Sequence, residues 1–533
     1  MNRLLPLTLI VVSVCIAAHA DPPPANPNAD VLHYTFCLTL NDQNDEILGE
    51  ASIAVRFLTD GVSEFNLDLV GMTVLAVNGN GHPVDFAHEK HRLRIGLASP
   101  AKTGEQRTYT ISYHGVPADG LIISKNRYGD RTFFADNWPD RARFWLPTVD
   151  DPRDKAACDF IITAPARYQV VANGLLTEVT DLRNDLRLTR WLEAVPIPTK
   201  AMAVGVARFA VQFLGECNHK SVQSWVYPRD REAGLRDFSQ AAKALKFFED
   251  RLGPFPYEKL ANVEAKCRYG GMENAGAIFY DEKFVTGTGQ YEDIVAHEIA
   301  HQWFGDSVTE ADWHHIWLSE GFATYLDHVY LEATYGRDLM VQLMKKDRES
   351  VLSYFRKRPN SPLVDTTITD LPQLLSPNSY QKGAWVLHML RHVVGEKAFW
   401  DGLRAFYARY RDRNALTGDF QKVMGEVSRR DLSWFFREWI YQPGQPMYKG
   451  SWHYDASAKQ LRVKLDQDQT SGAFFKMPVD LAICAADERP PRIEVLQLDR
   501  KTNTFTFSID TAPASVVLDP DTWVLMEADF RKN

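Results

Sequence analysis

The chain has 533 residues, of which 45% are hydrophobic and 24% charged, with a formal net charge of -9. These are ordinary globular values and exclude collagen, coiled coil and wholesale disorder, while a mean hydropathy of -0.30 excludes a polytopic membrane protein. The mild acidity argues against a nucleic-acid partner, because affinity for phosphate comes mostly from Lys and Arg; at roughly 100–200 residues per domain the length allows three to five domains.

The first twenty residues stand apart. Arg3 is the only charge before Asp21, Leu4 to Ala18 is almost wholly apolar, and Ala18-His19-Ala20 has the small-x-small form of a cleavage site. Residues 1–20 read as a secretory signal peptide. Their apolar run is shorter than the roughly 20 residues of a membrane span. The expected protein is therefore exported, periplasmic or secreted, with no membrane span in its mature chain. Loss of the signal leaves Cys37, Cys158, Cys217, Cys267 and Cys484, with no C-x-x-C among them. Buried free thiols are the expectation, with disulfide pairing left open. Asp21 to Asn28, with four prolines, reads as a stiff exposed leader.

From Val31 to about Phe209 the hydrophobic period is two. Ile53, Val55 and Phe57 alternate with Ala54 and Arg56, and Phe65, Leu67 and Leu69 with Asn66 and Asp68. Asn78-Gly79-Asn80-Gly81 after Val74–Val77 reads as a hairpin turn. Residues 21–208 are thus expected to form an all-β domain. Near Arg229 the period changes. Leu235, Phe238, Ala241, Ala242, Leu245 and Phe248 fall three or four apart and predict one amphipathic helix that Gly253-Pro254 stops. Helical patterns dominate to about Tyr441, apart from Ala265–Phe284. The break at Gln442-Pro443-Gly444-Gln445-Pro446 closes this unit, residues 209–445. Leu461, Val463 and Leu465 then alternate with charged residues, and Val479–Cys484 and Ser515–Leu518 read as strands. Residues 446–533 are expected to form a β-sandwich.

The chemistry sits in the middle unit. His297-Glu298-Ile299-Ala300-His301 is H-E-x-x-H within a helical run from about Tyr291 to Phe304. Positions i and i+4 share a helix face, so both imidazoles can reach one Zn²⁺, with Glu298 turned toward the side where water binds. In a chain with 15 histidines, about 0.03 such matches arise by chance. A catalytic zinc takes three protein ligands and keeps one open position. Glu320, eighteen residues after His301 and in the first turn of a helix predicted over Trp317–Tyr335, is the third candidate; His314 and His315 are the rivals. Imidazoles with one carboxylate suit zinc rather than calcium or copper. Such a site activates water and polarises a carbonyl, and Glu298 can move the proton to a leaving amine, which is amide hydrolysis. About twenty residues earlier, Gly270-Gly271-Met272-Glu273-Asn274 combines backbone that a ligand can approach closely with a carboxylate that can hold a cation.

G-x-M-E-N, then H-E-x-x-H, then eighteen residues and Glu together resemble the gluzincin aminopeptidases, whose type is aminopeptidase N and which include leukotriene epoxide hydrolase. The likeness extends to Leu146-Pro147-Thr148-Val149-Asp150-Asp151-Pro152 with Lys155-Ala156, to Trp439-Ile440-Tyr441-Gln442-Pro443-Gly444 and to Leu518-Asp519-Pro520. It covers essentially all of the mature chain. The resemblance implies a multidomain α+β fold: a saddle-like N-terminal β domain, a thermolysin-like, mostly helical catalytic domain and the C-terminal β-sandwich. It implies one Zn²⁺ on His297, His301 and Glu320, and peptide substrates with a free N-terminus. Glu298 is then general base and acid, and Glu273 anchors the substrate amine. Tyr380, in Tyr380-Gln381-Lys382-Gly383, stabilises the oxyanion. The Gly270, Gly271 and Met272 backbone pairs with the peptide, and Asn274 belongs to the same substrate-binding motif.

The sequence also departs from the family. Asp136-Asn137-Trp138-Pro139 stands where many members carry Gln or Glu as a second substrate contact, and the register leaves open whether Asn137 or Trp138 lines the first subsite. Ser319 replaces Asn, and Thr148 replaces Cys. No helical repeat domain follows the sandwich, so a more open cleft and activity on short peptides without size gating are expected. An epoxide hydrolase or endopeptidase on the same zinc site, and a non-catalytic peptide-binding protein on this fold, are the alternatives; the G-x-M-E-N carboxylate is useless to an endopeptidase.

Overall fold

The computed structural model describes residues 26–469, 473–486 and 489–533; the signal peptide and most of the leader lie outside them. The first unit is built from alternating segments that bury one face. An eight-stranded sheet has the spatial order Leu175–Asp181, Leu186–Pro198, Lys155–Pro165, Ala29–Thr39, Ile47–Phe57, Gln106–Gly115, Thr73–Gly79 and His82–Pro83. Its one parallel pairing joins Ala29–Thr39 to Lys155–Pro165. Ile53, Val55, Phe57, Phe65, Leu67 and Leu69 are all buried, as their alternation predicts. The hairpin also forms: Asn78 pairs with Pro83 and Gly79 with His82, and Asn80 and Gly81 take the positive φ values, 49° and 84°, that such a tight turn requires. A four-stranded sheet, Gln169–Ala172, Val204–Ala207, Arg131–Ala135 and Leu121–Lys125, faces the second unit.

That second unit begins with strands that helical periodicity does not reveal. Ala210–Cys217, Lys220–Val226, Lys259–Ala265, Ala277–Asp281 and Gly271–Met272 form a five-stranded sheet in that spatial order. The short strand Gly271–Met272 is its edge, antiparallel to Ala277–Asp281. The single helix expected from Leu235 to Phe248 is two, Arg231–Asp237 and Ala241–Leu252. Local side-chain bonds break it: the Ser239 hydroxyl donates to Arg236 O (2.7 Å), and Asp237 accepts the N–H groups of Thr286, Gly287 and Gly289 (2.7 Å each). Further on, the helix Glu292–His301 packs on Trp317–Tyr335, which ends at Gly336 (φ 97°), where the pattern places its stop. Helices Arg337–Lys357, Gly383–Val394, Glu396–Tyr410 and Thr417–Ser428 complete the unit.

Two sheets make the last unit: Thr502–Ser508, Gln460–Gln467, Met447–Asp455 and Glu527–Lys532 against Arg492–Leu498, Met477–Cys484 and Ser515–Leu518. The apolar faces meet between them, with Leu461, Val463, Leu465, Val479 and Leu481 fully buried.

The units are tied by buried charge. Lys200 Nζ lies 2.7 Å from Glu310 Oε1, with side chains 1% and 0% exposed. Lys155 Nζ donates to the carbonyls of Asp306 (2.9 Å) and Ser307 (2.7 Å). Arg127 reaches Glu264 (2.8 Å) and Asp230 (2.7 Å). Among the described residues all five cysteines are free.

Candidate active site

The helix period does what the motif predicts. His297 and His301 stand one turn apart on Glu292–His301, with Nε2 atoms 3.1 Å from each other. Glu320, in the first turn of Trp317–Tyr335, brings its Oε2 within 3.5 Å of His297 Nε2 and 3.3 Å of His301 Nε2. The three ligand atoms lie within 4.8 Å of one another, the one such group of His, Cys, Asp or Glu among the described residues. His314 instead bonds Asp312 and Ile368 O, and His315 bonds Thr417 Oγ1; neither approaches the group.

The residues fit a zinc ion on their own chemistry. His297 Nδ1–H donates to Asp327 Oδ2 (3.1 Å) and His301 Nδ1–H to Phe304 O (3.2 Å), so both Nε2 lone pairs point inward. Glu320 Oε2 is buried without a hydrogen-bond partner. Three acceptors converging in a buried space need a cation between them. Burial opposes charge on all three, but the mutual attraction wins: His297 and His301 are raised and Glu320 is lowered from their ordinary values.

Asp327 was not singled out by sequence. It lies seven residues after Glu320, on the same face two turns on, which is the one signal that could have found it. It also bonds His328 Nδ1, whose Nε2 donates to Asp347 (3.0 Å) on Arg337–Lys357. Burial disfavours the His328 imidazolium, yet Asp327 and Asp347 push it up to about 10.

Glu298 projects from the ligand helix over Gly271. A Cβ at Gly271 would fall 2.0 Å from Glu298 Oε1, so only glycine lets the edge strand pass. Burial raises Glu298 to about 7 against the pull of His297 and His301, a value suited to taking and returning a proton. Tyr380 sits in a π-helical turn, Asn378–Lys382. Its ring lies parallel to His297, with centroids 6.0 Å apart and planes at 8°. Burial and then the Glu320, Glu273 and Glu298 carboxylates raise its phenol, which therefore stays a donor.

These groups line one cavity of about 750 Å³, together with Trp138, Tyr269, Gly270, Gly271, Met272 and Glu273. Glu273 is 6% exposed and its Oε1 has no partner. Its carbonyl accepts from Gln302 Nε2 (2.6 Å), and Gln302 Oε1 accepts from Gly276 N (2.8 Å). Gln302, directly after H-E-x-x-H, thus fastens the glutamate loop to the ligand helix, a role that the motif's spacing does not disclose. Asn274 is fully buried and does not line the cavity. The open register also resolves: Trp138 lines the cavity, whereas Asn137 is fully buried. The Asn137 amide donates to Thr199 O (3.2 Å) and Met202 O (2.8 Å).

Comparison with known families then decides the kinship. The model of the peptidase M1 N-terminal domain matches residues 30–200, and that of the peptidase family M1 domain matches residues 236–439. The chain belongs to peptidase family M1. The second M1 match contains both zinc-ligand helices and Tyr380, and the first contains Trp138. Among solved structures, an M1 zinc metallopeptidase from Deinococcus radiodurans superposes with a TM-score of 0.68 at 26% identity, covering 79% of this chain and 95% of that one. Curated M1 relatives include the probable aminopeptidase 2 of Sulfurisphaera tokodaii, 25% identical over 79% of this chain and 55% of its own length. The leucyl aminopeptidase of Saccharolobus solfataricus is 24% identical over 84% and 58%, and the glutamyl aminopeptidase of Rattus norvegicus 26% identical over 64% and 38%. This M1 chain thus spans little more than half the length of the first two. The family's metal is a single zinc ion, which the three ligands fit.

Proposed function

We propose that the chain is a zinc aminopeptidase that removes the N-terminal residue from peptides, working outside the cytoplasm after loss of residues 1–20. One observation carries the reading: Glu273, whose buried carboxylate oxygen Oε1 has no hydrogen-bond partner, lines the cavity that holds His297, His301, Glu320 and Glu298. A substrate ammonium satisfies that oxygen with a charge-assisted bond, whereas an acylated N-terminus leaves it buried and unpaired.

His297, His301 and Glu320 would hold the zinc ion, which when bound polarises the scissile carbonyl and acidifies water. Glu298 takes the proton of the attacking water and returns it to the leaving amine. Tyr380 donates its O–H to the carbonyl oxygen as charge grows there. The unpaired edge of Gly271–Met272 receives the substrate main chain as an added strand, directly beneath Glu298.

A panel of aminoacyl fluorogenic amides, free and N-acetylated, with and without a chelator, tests this. Free amides should be cleaved, acetylated ones spared, and the chelator should abolish turnover. Cleavage of blocked substrates would overturn exopeptidase action, and chelator-insensitive cleavage the zinc assignment. N-terminal sequencing of exported protein should begin at Asp21; a retained Met1 would sink the export proposal.

A further inference from the structure

Glu273 Oε1 is buried and makes no hydrogen bond, so this oxygen stands where the backbone beneath it puts it. That backbone, Glu273 to Gly276, lies between the strands Gly271–Met272 and Ala277–Asp281 and belongs to neither. A segment outside regular structure keeps one conformation when other groups take up its peptide N–H and C=O groups.

Two buried amides do this from opposite sides. Gln302, 0% exposed, directly follows the ligand helix Glu292–His301. Its Nε2 donates to Glu273 O (2.6 Å) and Asp306 Oδ2 (3.0 Å), and its Oε1 accepts from Gly276 N (2.8 Å). Acceptors meet one end of this amide and a donor the other, so a single orientation satisfies it. Asn173, 1% exposed, belongs to the first unit and directly follows the strand Gln169–Ala172. Its Nδ2 donates to Ala275 O (2.8 Å) and Ala201 O (2.9 Å), and its Oδ1 accepts from Ala203 N (2.6 Å). Ala275 N donates in turn to Ala201 O (3.1 Å). Lys259 Nζ closes the loop's end, donating to Gly276 O (3.2 Å) and, in the first unit, to Ala172 O (2.8 Å).

We infer that Gln302 and Asn173 are positioning residues for recognition of the substrate ammonium. They hold the Glu273 loop in its binding geometry before substrate arrives, one from the ligand helix and one from the first unit. Neither side chain lines the cavity, so both act through Glu273. This rests on the proposed aminopeptidase reading, in which Glu273 takes the amine. The first unit, which supplies none of the zinc ligands, thereby helps to set selectivity for a free N-terminus. A carboxylate held in place keeps the full strength of its charge-assisted bond, whereas a loose one loses part of it to ordering.

The test uses two inhibitors that differ in the amine alone: leucine hydroxamate and its desamino analogue. Both put a hydroxamate on the metal, and only the first presents an ammonium to Glu273. The zinc-loaded wild type should bind the first at least about 100-fold more tightly. Gln302→Met and Asn173→Leu, which keep approximate size and remove the amide bonds, should each cut that ratio by about tenfold or more. Ki for the desamino analogue should stay within about threefold of wild type. An unchanged ratio in a folded variant, or equal weakening of both inhibitors, overturns the inference for that residue. If neither variant folds, hydrogen exchange of the wild type decides. Residues 273–277 should be protected without ligand; protection that appears only with leucine hydroxamate overturns the inference. A wild type that binds both hydroxamates equally overturns the Glu273 reading itself.

Discussion

Gly321 and Gly383 meet backbone to backbone: a Cβ on Gly321 would lie 2.7 Å from the Cα of Gly383, and the reverse is equally close. The contact presses the turn carrying Tyr380 onto the first turn of the helix carrying Glu320, so the proposed oxyanion donor and the metal ligand share one support. Gly383→Ala must part these helices, and overpacking of this kind costs about 1–3 kcal/mol. We expect kcat to fall by about tenfold or more through misplacement of Tyr380, with zinc content unchanged. Unaltered kcat in a folded variant would refute the link.

Removing the phenol alone should be cleaner. Tyr380→Phe keeps the ring against His297 and deletes the phenol that burial and the neighbouring carboxylates keep protonated. Steady-state kinetics should show kcat reduced by about 10²–10³ with KM within about threefold, the pattern of an interaction made only in the transition state.

Gly271→Ala would drive a methyl group into the Glu298 carboxylate. Activity should drop by about 100-fold while zinc binding by His297, His301 and Glu320 persists, measured by metal analysis after dialysis. Glu298→Gln should give the same split between bound metal and lost turnover.

Zinc removal should also cost stability, since the metal binds the folded chain and not the unfolded one. Without a cation Glu320 Oε2 is a buried oxygen that makes no hydrogen bond. Calorimetry should show Tm falling by several degrees with chelator and recovering on addition of zinc; an unchanged Tm would argue against tight binding at this site.

Lys382 predicts a pH effect with a definite sign. It is fully buried, its Nζ has no hydrogen-bond partner, and burial lowers it from 10.5 to about 7. Between those values the unfolded chain holds a proton that the folded chain has released, so this residue makes stability rise with pH across the window. Below about pH 7 the folded protein bears the full cost of a buried ammonium. Lys382→Met should therefore be more stable than wild type by at least about 1 kcal/mol at pH 7 and below, with the gap closing toward pH 10.5 in urea titrations.

The legibility of the site follows from which geometry is local. His297, Glu298 and His301 are fixed by one helix period, and Glu320 opens a helix whose start and Gly336 stop are both written in the chain. Trp138 and Asn137 could not be separated by spacing. Their orientation is decided by the carbonyls of Thr199 and Met202, about sixty residues away. Asn274, next to Glu273, turns away from the cavity into the core. The Gly321–Gly383 contact joins two helices and leaves no trace in the period of either. The helix break after Asp237 arises from three N–H groups in a loop fifty residues on.

The buried Lys200–Glu310 pair carries a consequence for engineering. It spans the seam between the first and second units, with both partners sealed from water. A chimera that grafts the first 208 residues onto a foreign catalytic unit inherits the lysine without its glutamate. Breaking such a pair costs about 3–5 kcal/mol, so most recombinants would fail to assemble before specificity could be read. Lys200 and Glu310 must change hands together.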